Sequence, residues 1–354
     1  MTMNQITILG AGAMGSALAN AMVRAGWQTH LWGTWLDDHL IDAIEAGQPH
    51  PRIDVVIDSK VRTFRSDQLA EAMAGSQVIA CAVASVGVPE VIKLALDGIS
   101  QADALWLTSK GFLTAPDGSI ELLPDGIRRI AAAEGKQLPP IVAIGGPVKA
   151  NECAAGEPTA TIFACRDFEV AKKYALAARS ESYCPEASDD EIGVEICAPM
   201  KNVYAIMLGI PDGLHELRQR PHHNLKSATF AQSVREMSIL GQALGARPET
   251  AFGLAGVGDL EVTGLAGRNK FYGVRIGKGE SSRQALQTMT ELEQTVEGEP
   301  AVGLAVRLVD QLGEGLADQL PLLATARKII QDDPADYEAL LAKAVMPAAP
   351  ERNI

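Results

Sequence analysis

The sequence lacks an excess of positive charge. Its 354 residues contain 31 lysines and arginines against 44 aspartates and glutamates, which gives a formal net charge of −13 at pH 7. A surface of this sign repels nucleic-acid phosphates and anionic lipid headgroups, so we expect neither a nucleic-acid partner nor a membrane partner. If the ligand is a small anion, a few local cations must bind it.

Cysteines are few, and long apolar runs are absent. The five cysteines are odd in number and none forms a CxxC pair, which argues against a disulfide framework and a zinc site. No apolar run reaches the length that crosses a bilayer, and the N-terminus lacks the basic and apolar regions of a signal peptide. We therefore predict a cytoplasmic location and no metal.

Aromatic residues make up only 5% of the chain, so small aliphatic side chains must fill the core. In the first half, short apolar runs alternate with helical patterns, which is typical of a parallel, doubly wound α/β sheet. Strands are predicted at residues 5–9, 28–33, 77–83, 104–109, 140–145 and 159–165, and helices at about 13–25, 120–134 and 168–180.

The pattern changes near Asp189. Helical periodicity then predominates, and helices are predicted over residues 193–209, 225–245, 248–265, 281–290 and 299–312, with more beyond residue 320. Because 354 residues exceed what one ordinary core organises, we predict two domains. The first spans residues 1–190 and is α/β, and the second spans residues 191–345 and is all-α.

A glycine-rich segment follows the first predicted strand and precedes the first predicted helix. In this G-x-G-x-x-G spacing, Gly10 permits a tight turn, Gly12 lets the backbone approach a pyrophosphate, and Gly15 lets the helix pack closely on the strand. Free N–H groups at the helix start, around Ala13 and Met14, then face the anion. The segment therefore predicts a Rossmann-type domain that binds a dinucleotide.

The end of the second strand should decide which dinucleotide binds. An acid there favours NAD, whereas an arginine favours NADP. This chain has Trp32 and Thr34 at that point, Asp37 and Asp38 a few residues later, and no arginine before Arg52. We predict NAD and leave NADP open. We interpret the two aspartates as charges at a helix N-terminus rather than as ribose ligands.

Two lysines are candidates for the chemistry. Lys110 follows a buried strand, at the edge where open α/β sheets bind ligands; the alternative is a solvated lysine. Lys201 lies in a predicted helix that is apolar on nearly every side. A lysine buried there must be paired or have a lowered pKa, and it can then exchange protons near neutral pH. Its alternative role is a structural ion pair, for instance with Glu195.

A second polar group follows in the helical half. Asp259 and Thr263 are four residues apart and so share one helix face, where Asp259 could hold Lys201 and Thr263 could contact a substrate. Arg268 and Asn269 follow as a polar pair at a helix terminus, and a guanidinium binds phosphate as a rigid fork. The alternatives are a helix cap for Asp259 and a surface cation for Arg268.

Together these segments resemble the NAD(P)-dependent glycerol-3-phosphate dehydrogenases. The resemblance extends from the glycine turn to about residue 303 and rests on seven segments in the same order. They are GAGAMGSALA, TSKG, GGP, GEPTA, MKNVYAI, GLAGVGDLEVTG and GRN, and a late VEG follows at residues 296–298. One such match would mean little, but seven in one order are specific.

The resemblance implies hydride transfer between nicotinamide and the C2 atom of dihydroxyacetone phosphate or glycerol 3-phosphate, without a metal, in a homodimer. It makes Lys201 the general acid, oriented by Asp259, and makes Lys110 a ligand of the substrate oxygen. The implied substrate-binding residues are Asn202, Thr263, Arg268 and Asn269. The implied cofactor-binding residues are Gly10, Gly12, Ala13, Met14, Gly15, Trp32, Thr34, Val83, Arg268 and Glu297.

The chain also departs from the family pattern. Pro199 precedes Lys201 by two residues and should kink or break its helix. Residues 215–224 differ from the family's stretch and are predicted as a surface loop. Within them His222 and His223 adjoin, but no third metal ligand is apparent. Two alternatives therefore stay open: another phosphorylated polyol, ketose or anionic ketone as substrate, or a protein that senses NAD(H) without turnover.

Overall fold

The computed structural model describes residues 4–334 and 336–346. The chain divides into two compact units, Met1–Glu195 and Ile196–Ile354. Over the described residues, none of the helices combines the length and the apolar character that a membrane crossing requires.

The first unit is α/β, as predicted, because short buried strands alternate with helices that are apolar on one side. The elements are β1 (Gln5–Leu9), α1 (Ala13–Arg24), β2 (Gln28–Trp32), α2 (Asp38–Glu45), β3 (Arg62–Phe64), α3 (Leu69–Met73), β4 (Val78–Cys81), α4 (Val88–Ile99), β5 (Ala104–Leu107), β6 (Phe112–Thr114), β7 (Ile120–Leu122), α5 (Leu123–Ala133), β8 (Ile141–Gly145), α6 (Ala150–Ala155), β9 (Thr159–Ala164), α7 (Phe168–Ala177) and β10 (Tyr183–Ser188).

Eight of the strands in residues 4–195 form one sheet, in the order β10-β9-β8-β5-β4-β1-β2-β3, while β6 and β7 pair separately. Neighbouring strands are parallel, except that β9 runs antiparallel to β8. The order of the strands reverses at β1, which has β2 on one side and β4 on the other. Such a reversal is where open α/β sheets bind their ligands, beyond the carboxyl ends of the strands.

The sequence patterns did not predict β3, β6, β7 or β10. Residues 120–134 were predicted as one helix, but Ile120–Leu122 is a strand and the helix begins at Leu123. Pro124 explains this start, since proline suits only the first turn of a helix. Strand β10 contains Pro185 and pairs with β9 alone, so it is an edge strand, where proline is tolerated and the apolar signal is weak.

From residue 191 the described chain is helical, which confirms the prediction of an all-α second half. The helices are α8 (Glu191–Arg218), α9 (His223–Ala243), α10 (Pro248–Phe252), α11 (Asp259–Leu265), α12 (Arg268–Gly277), α13 (Ser282–Glu291), α14 (Gly298–Leu312), α15 (Pro321–Arg327) and α16 (Tyr337–Val345).

Three predictions in this half differ from the structure. Helix α8 passes through Pro199 without a break and continues to Arg218, so the connection to α9 is residues 219–222 rather than 215–224. A proline removes one backbone hydrogen bond, and a helix buried on nearly all sides is still stabilised by its packing. Residues 248–265 are not one helix either: Gly253 has extended backbone, and a π-helical turn, Leu254–Gly258, precedes α11.

Helices α8 and α12 pack backbone to backbone. Gly209 and Gly213 on α8 face Gly273 and Gly277 on α12. A Cβ atom added at Gly273 would lie 3.1 Å from the Gly209 Cα and would overlap the carbonyl oxygen of Ile206. A Cβ atom added at Gly277 would lie 2.9 Å from the Gly213 Cα. This close approach fixes α12 against α8.

Candidate active site

The glycine turn joins β1 to α1, as predicted. Gly10 has a φ of +110° and its N–H donates to the carbonyl oxygen of Trp32 at 2.8 Å. A Cβ atom at Gly10 would lie 2.8 Å from Cγ1 of Val83, and one at Gly15 would overlap the Gly10 carbonyl oxygen. Glycine is therefore required at both positions, which keeps the turn tight and places Val83 beside it.

The accessible part of the turn consists of Gly12, Ala13 and Met14, which are all half-buried. Gly12 precedes α1 in extended conformation and no side chain caps the helix. The first N–H groups of α1 lack partners inside the helix, so an anion can bind there without displacing a side chain. The turn thus fits the pyrophosphate of a dinucleotide.

The end of β2 differs from the expectation. The side chain of Trp32 is 1% exposed within the core, and its Nε1 donates to the Ser66 carbonyl oxygen at 3.3 Å. It therefore offers no side-chain surface to a ligand, contrary to its expected role. Asp37 is the N-cap residue of α2, but its side chain makes no capping hydrogen bond. Its Oδ2 accepts from the N–H and hydroxyl of Thr34, at 3.0 and 2.8 Å, and from the Ala11 N–H at 3.3 Å, so it ties β2 to the turn.

A narrow cavity opens beside α1 at the carboxyl ends of β5 and β8. Met14, Thr108, Lys110, Gly145 and Gly146 are among its lining residues. The structure therefore brings Lys110 near Met14, the last residue of the accessible part of the turn. Lys110 is half-buried there, which argues against the alternative of a fully solvated strand-end lysine.

The start of α8 is fixed by an ion-pair cluster of the first unit. Arg128 binds the two carboxylate oxygens of Glu191 at 2.8 and 2.7 Å, and Arg166 binds the same carboxylate at 3.1 Å. One turn later, Glu195 is 2% exposed. Burial and the charge of Glu191 raise the pKa of Glu195 well above its usual range, while the charge of Lys110 opposes this shift. Glu195 is therefore a buried carboxyl group whose pKa responds to the charge of Lys110.

In the second unit, Lys201 and Asp259 form a buried ion pair. The Lys201 Nζ donates to Asp259 Oδ1, and the two side chains are 9% and 1% exposed. One turn after Asp259, the hydroxyl of Thr263 donates to the Asp259 carbonyl oxygen at 2.6 Å. Asp259 is thus a partner of Lys201, as the sequence predicted. A desolvated pair of this kind holds the ammonium group in one orientation.

The remaining predicted polar residues gather around the start of α14. Asn202 donates from Nδ2 to Glu297 at 3.3 Å, and the Arg268 guanidinium lies 3.5 Å from the other carboxylate oxygen. Asn269 Oδ1 accepts from the Gly298 N–H at 2.8 Å. The side chain of Arg268 is 51% exposed, so its fork is accessible to an anion.

The fold and these two sites define a class of protein. A doubly wound sheet with a glycine turn that fits a pyrophosphate provides a dinucleotide site. A buried lysine–aspartate pair and an accessible arginine in the same unit provide a proton donor and an anion ligand. This combination defines an NAD(P)-dependent oxidoreductase.

Comparisons with known proteins specify the family. The model of the NAD-dependent glycerol-3-phosphate dehydrogenase N-terminus matches residues 5–171, and that of the C-terminus matches residues 190–340. An NADP(+)-dependent glycerol-3-phosphate dehydrogenase of Archaeoglobus fulgidus is 33% identical, over 87% of this chain and 90% of that protein. A glycerol-3-phosphate dehydrogenase [NAD(P)+] of Xanthomonas campestris is 32% identical, over 98% and 97%.

A solved structure agrees with these relatives. The glycerol-3-phosphate dehydrogenase of Coxiella burnetii has a TM-score of 0.81 and 28% identity, covering 98% of this chain and 99% of that one. The chain belongs to the NAD-dependent glycerol-3-phosphate dehydrogenase family, whose members are NAD(P)-dependent oxidoreductases acting on a CH–OH group.

Proposed function

We propose that this protein interconverts glycerol 3-phosphate and dihydroxyacetone phosphate, with NAD(P) as the hydride carrier. The buried Lys201–Asp259 pair carries the proposal, because it presents an oriented ammonium group. Bound NAD(P) supplies the hydride for ketone reduction and accepts it in alcohol oxidation. Lys201 Nζ gives its proton to the oxygen that was the carbonyl and takes a proton back in the reverse direction. Asp259 keeps Nζ in place.

The other residues bind and orient. Lys110 binds a substrate oxygen, Arg268 and Asn269 bind the phosphate, and Asn202 and Thr263 complete the substrate contacts. The dinucleotide is held by the residues of the glycine turn, with Trp32 shaping the turn from the core through its carbonyl oxygen. The proposed cofactor contacts are Gly10, Gly12, Ala13, Met14, Gly15, Thr34, Val83, Arg268 and Glu297.

We further propose residues 1–190 as the dinucleotide-binding domain and residues 191–345 as the substrate domain, acting as a homodimer in the cytoplasm. The domain assignment is supported by the end of β10 at Ser188 and the start of α8 at Glu191. A homodimer is the commonest oligomer, and light scattering tests it directly. An odd number of cysteines without disulfide-type spacing suits a reducing compartment.

A substrate panel tests the proposed reaction. Absorbance of NADH or NADPH is followed with dihydroxyacetone phosphate, with unphosphorylated dihydroxyacetone, and with tetrulose and pentulose phosphates. We expect turnover to be fastest with dihydroxyacetone phosphate. Turnover with a longer ketose phosphate alone would overturn the substrate assignment. Dinucleotide binding without turnover of any ketone would favour the sensing alternative.

Replacement of Arg268 by glutamine should mainly raise KM for the phosphorylated substrate. A charge-assisted hydrogen bond to phosphate contributes about 1.5–3 kcal/mol, so we expect KM to rise about tenfold to a hundredfold. Steady-state kinetics of Arg268→Gln with dihydroxyacetone phosphate and with unphosphorylated dihydroxyacetone measure this. An equal effect on both substrates would show that Arg268 does not bind the phosphate. The half-buried Arg275 of α12, which pairs with Glu280 just beyond the end of this helix, supplies the control Arg275→Gln.

A further inference from the structure

The segment between α2 and β3 folds back onto the glycine turn. Its two ends pair as an isolated antiparallel bridge between Pro49 and Val56. Asn20 of α1 holds the segment through two hydrogen bonds. Its Nδ2 donates to the Val56 carbonyl oxygen at 3.2 Å, and its Oδ1 accepts from the Asp58 N–H at 2.8 Å. The segment, residues 49–58, therefore packs as an ordered part of the first unit, and α1, the helix that follows the turn, holds it in place.

His50 joins this segment to the turn itself. Its side chain is fully buried, with Nε2 lying 2.9 Å from the Ala11 carbonyl oxygen, while Nδ1 accepts from the Arg52 N–H at 3.1 Å. Since Nδ1 accepts, Nε2 carries the proton and donates to Ala11. Burial lowers the pKa of His50, and the charge of Arg52 acts in the same direction, so the ring is neutral at pH 7. A neutral histidine thus fixes both the turn and the backbone of Arg52.

The guanidinium of Arg52 lies over the turn. A Cβ atom added at Gly12 would lie 3.5 Å from Nη1 of Arg52. Gly12 is the position at which the backbone of this motif approaches a pyrophosphate. The side chain of Arg52 is exposed, so its N–H fork is open to a ligand on the turn. A guanidinium in this place can bind two phosphate oxygens at once.

We propose that Arg52 is a ligand of the dinucleotide pyrophosphate and that His50 positions it. The inference rests on the proposed function, because it requires NAD(P) on the glycine turn. An arginine that selects NADP by its 2′-phosphate follows the second strand. Arg52 lies against Gly12 instead, so its charge acts on the pyrophosphate, which NAD and NADP share. Arg52 therefore strengthens the binding of both dinucleotides equally.

The variant Arg52→Gln tests the inference through binding constants. Kd is measured for NADH and NADPH by fluorescence titration, and for ADP and adenosine 2′-monophosphate by calorimetry. We expect Kd for NADH, NADPH and ADP to rise about tenfold each, and Kd for adenosine 2′-monophosphate to stay unchanged. Arg62, an exposed arginine on β3 that pairs with Glu71, supplies the control, and Arg62→Gln should leave all four constants unchanged.

The outcomes separate the two proposals. If Arg52→Gln raises Kd for NADPH and adenosine 2′-monophosphate but not for NADH, Arg52 binds the 2′-phosphate and the pyrophosphate assignment is overturned. If wild type binds both dinucleotides and Arg52→Gln changes neither constant, this inference alone fails. If the wild-type protein binds no dinucleotide, both the proposed function and this inference are overturned. The variant His50→Gln should also raise Kd for both dinucleotides, because it loosens the segment that holds Arg52.

Discussion

Replacement of Lys201 by arginine should lower kcat for the reduction of dihydroxyacetone phosphate by about 10²–10⁴, the usual size of a general-acid contribution. Arginine keeps the positive charge beside Asp259 but does not release its proton near neutral pH. The variant therefore separates proton donation from the ion pair. Lys201→Ala should lose as much activity, but it also removes the ion pair of the buried Asp259, which destabilises the fold.

Kinetics and thermal unfolding are measured together on the same variants. Lys278 pairs with Glu216 on the surface of the same unit, so Lys278→Ala should leave kcat unchanged. Primary amines added to folded Lys201→Ala should restore part of the rate, because they supply a proton donor to the space left by the side chain. A Lys201→Arg variant that retains kcat within about threefold of wild type would contradict the general-acid role.

The parts of the site predicted from the sequence are those set by spacing along one element. The G-x-G-x-x-G spacing after a strand predicted the turn, and a four-residue spacing placed Asp259 and Thr263 on one helix face. A lysine in an apolar helix predicted a buried partner. The sequence left Asp259 and Glu195 open as partners of Lys201, because the pairing depends on how distant segments pack, and residue spacing along the chain does not specify that packing.

The same limit applies to Asp37 and His50. Both contact the backbone of Ala11 from segments 26 and 39 residues away, and neither lies in a regular pattern. Asp37 was interpreted as a helix charge because it precedes a helix, where acids are common. Its contacts with Thr34 are local, but its contact with the Ala11 N–H arises only when β2 and β1 are neighbours in the sheet.

The central strands were predicted because they are buried on both faces and read as continuous apolar runs. The edge strands β3 and β10 are short or polar, so the same signal is missing there. The sequence pattern also did not predict the direction of each strand. A buried strand is equally apolar whether it runs parallel or antiparallel to its neighbour, and β9 runs antiparallel to β8. Pro199 was overestimated as a helix breaker, since burial of the rest of α8 outweighs one missing hydrogen bond.

Replacement of Gly273 by alanine should destabilise the helical unit strongly. The added methyl group would overlap the Ile206 carbonyl oxygen, which belongs to the backbone of α8 and cannot rotate away. Helix α12 must then move off α8. Overpacking of this kind costs up to about 3 kcal/mol, which corresponds to a decrease of about 6–12 °C in the midpoint of thermal unfolding.

The matched control is Gly303→Ala on α14. A Cβ atom there would meet nothing closer than 3.9 Å, and alanine is the better helix former, so this variant should be neutral or more stable by about 0.5–1 kcal/mol. Both substitutions add one methyl group within a helix of the second unit, and they differ only in the atoms that surround the added group. Gly273→Ala should also raise KM, because Arg268 and Asn269 are the first residues of α12, the helix that moves. Equal midpoints for both variants would mean that α12 does not depend on backbone contact with α8, and the positioning of Arg268 would then need another cause.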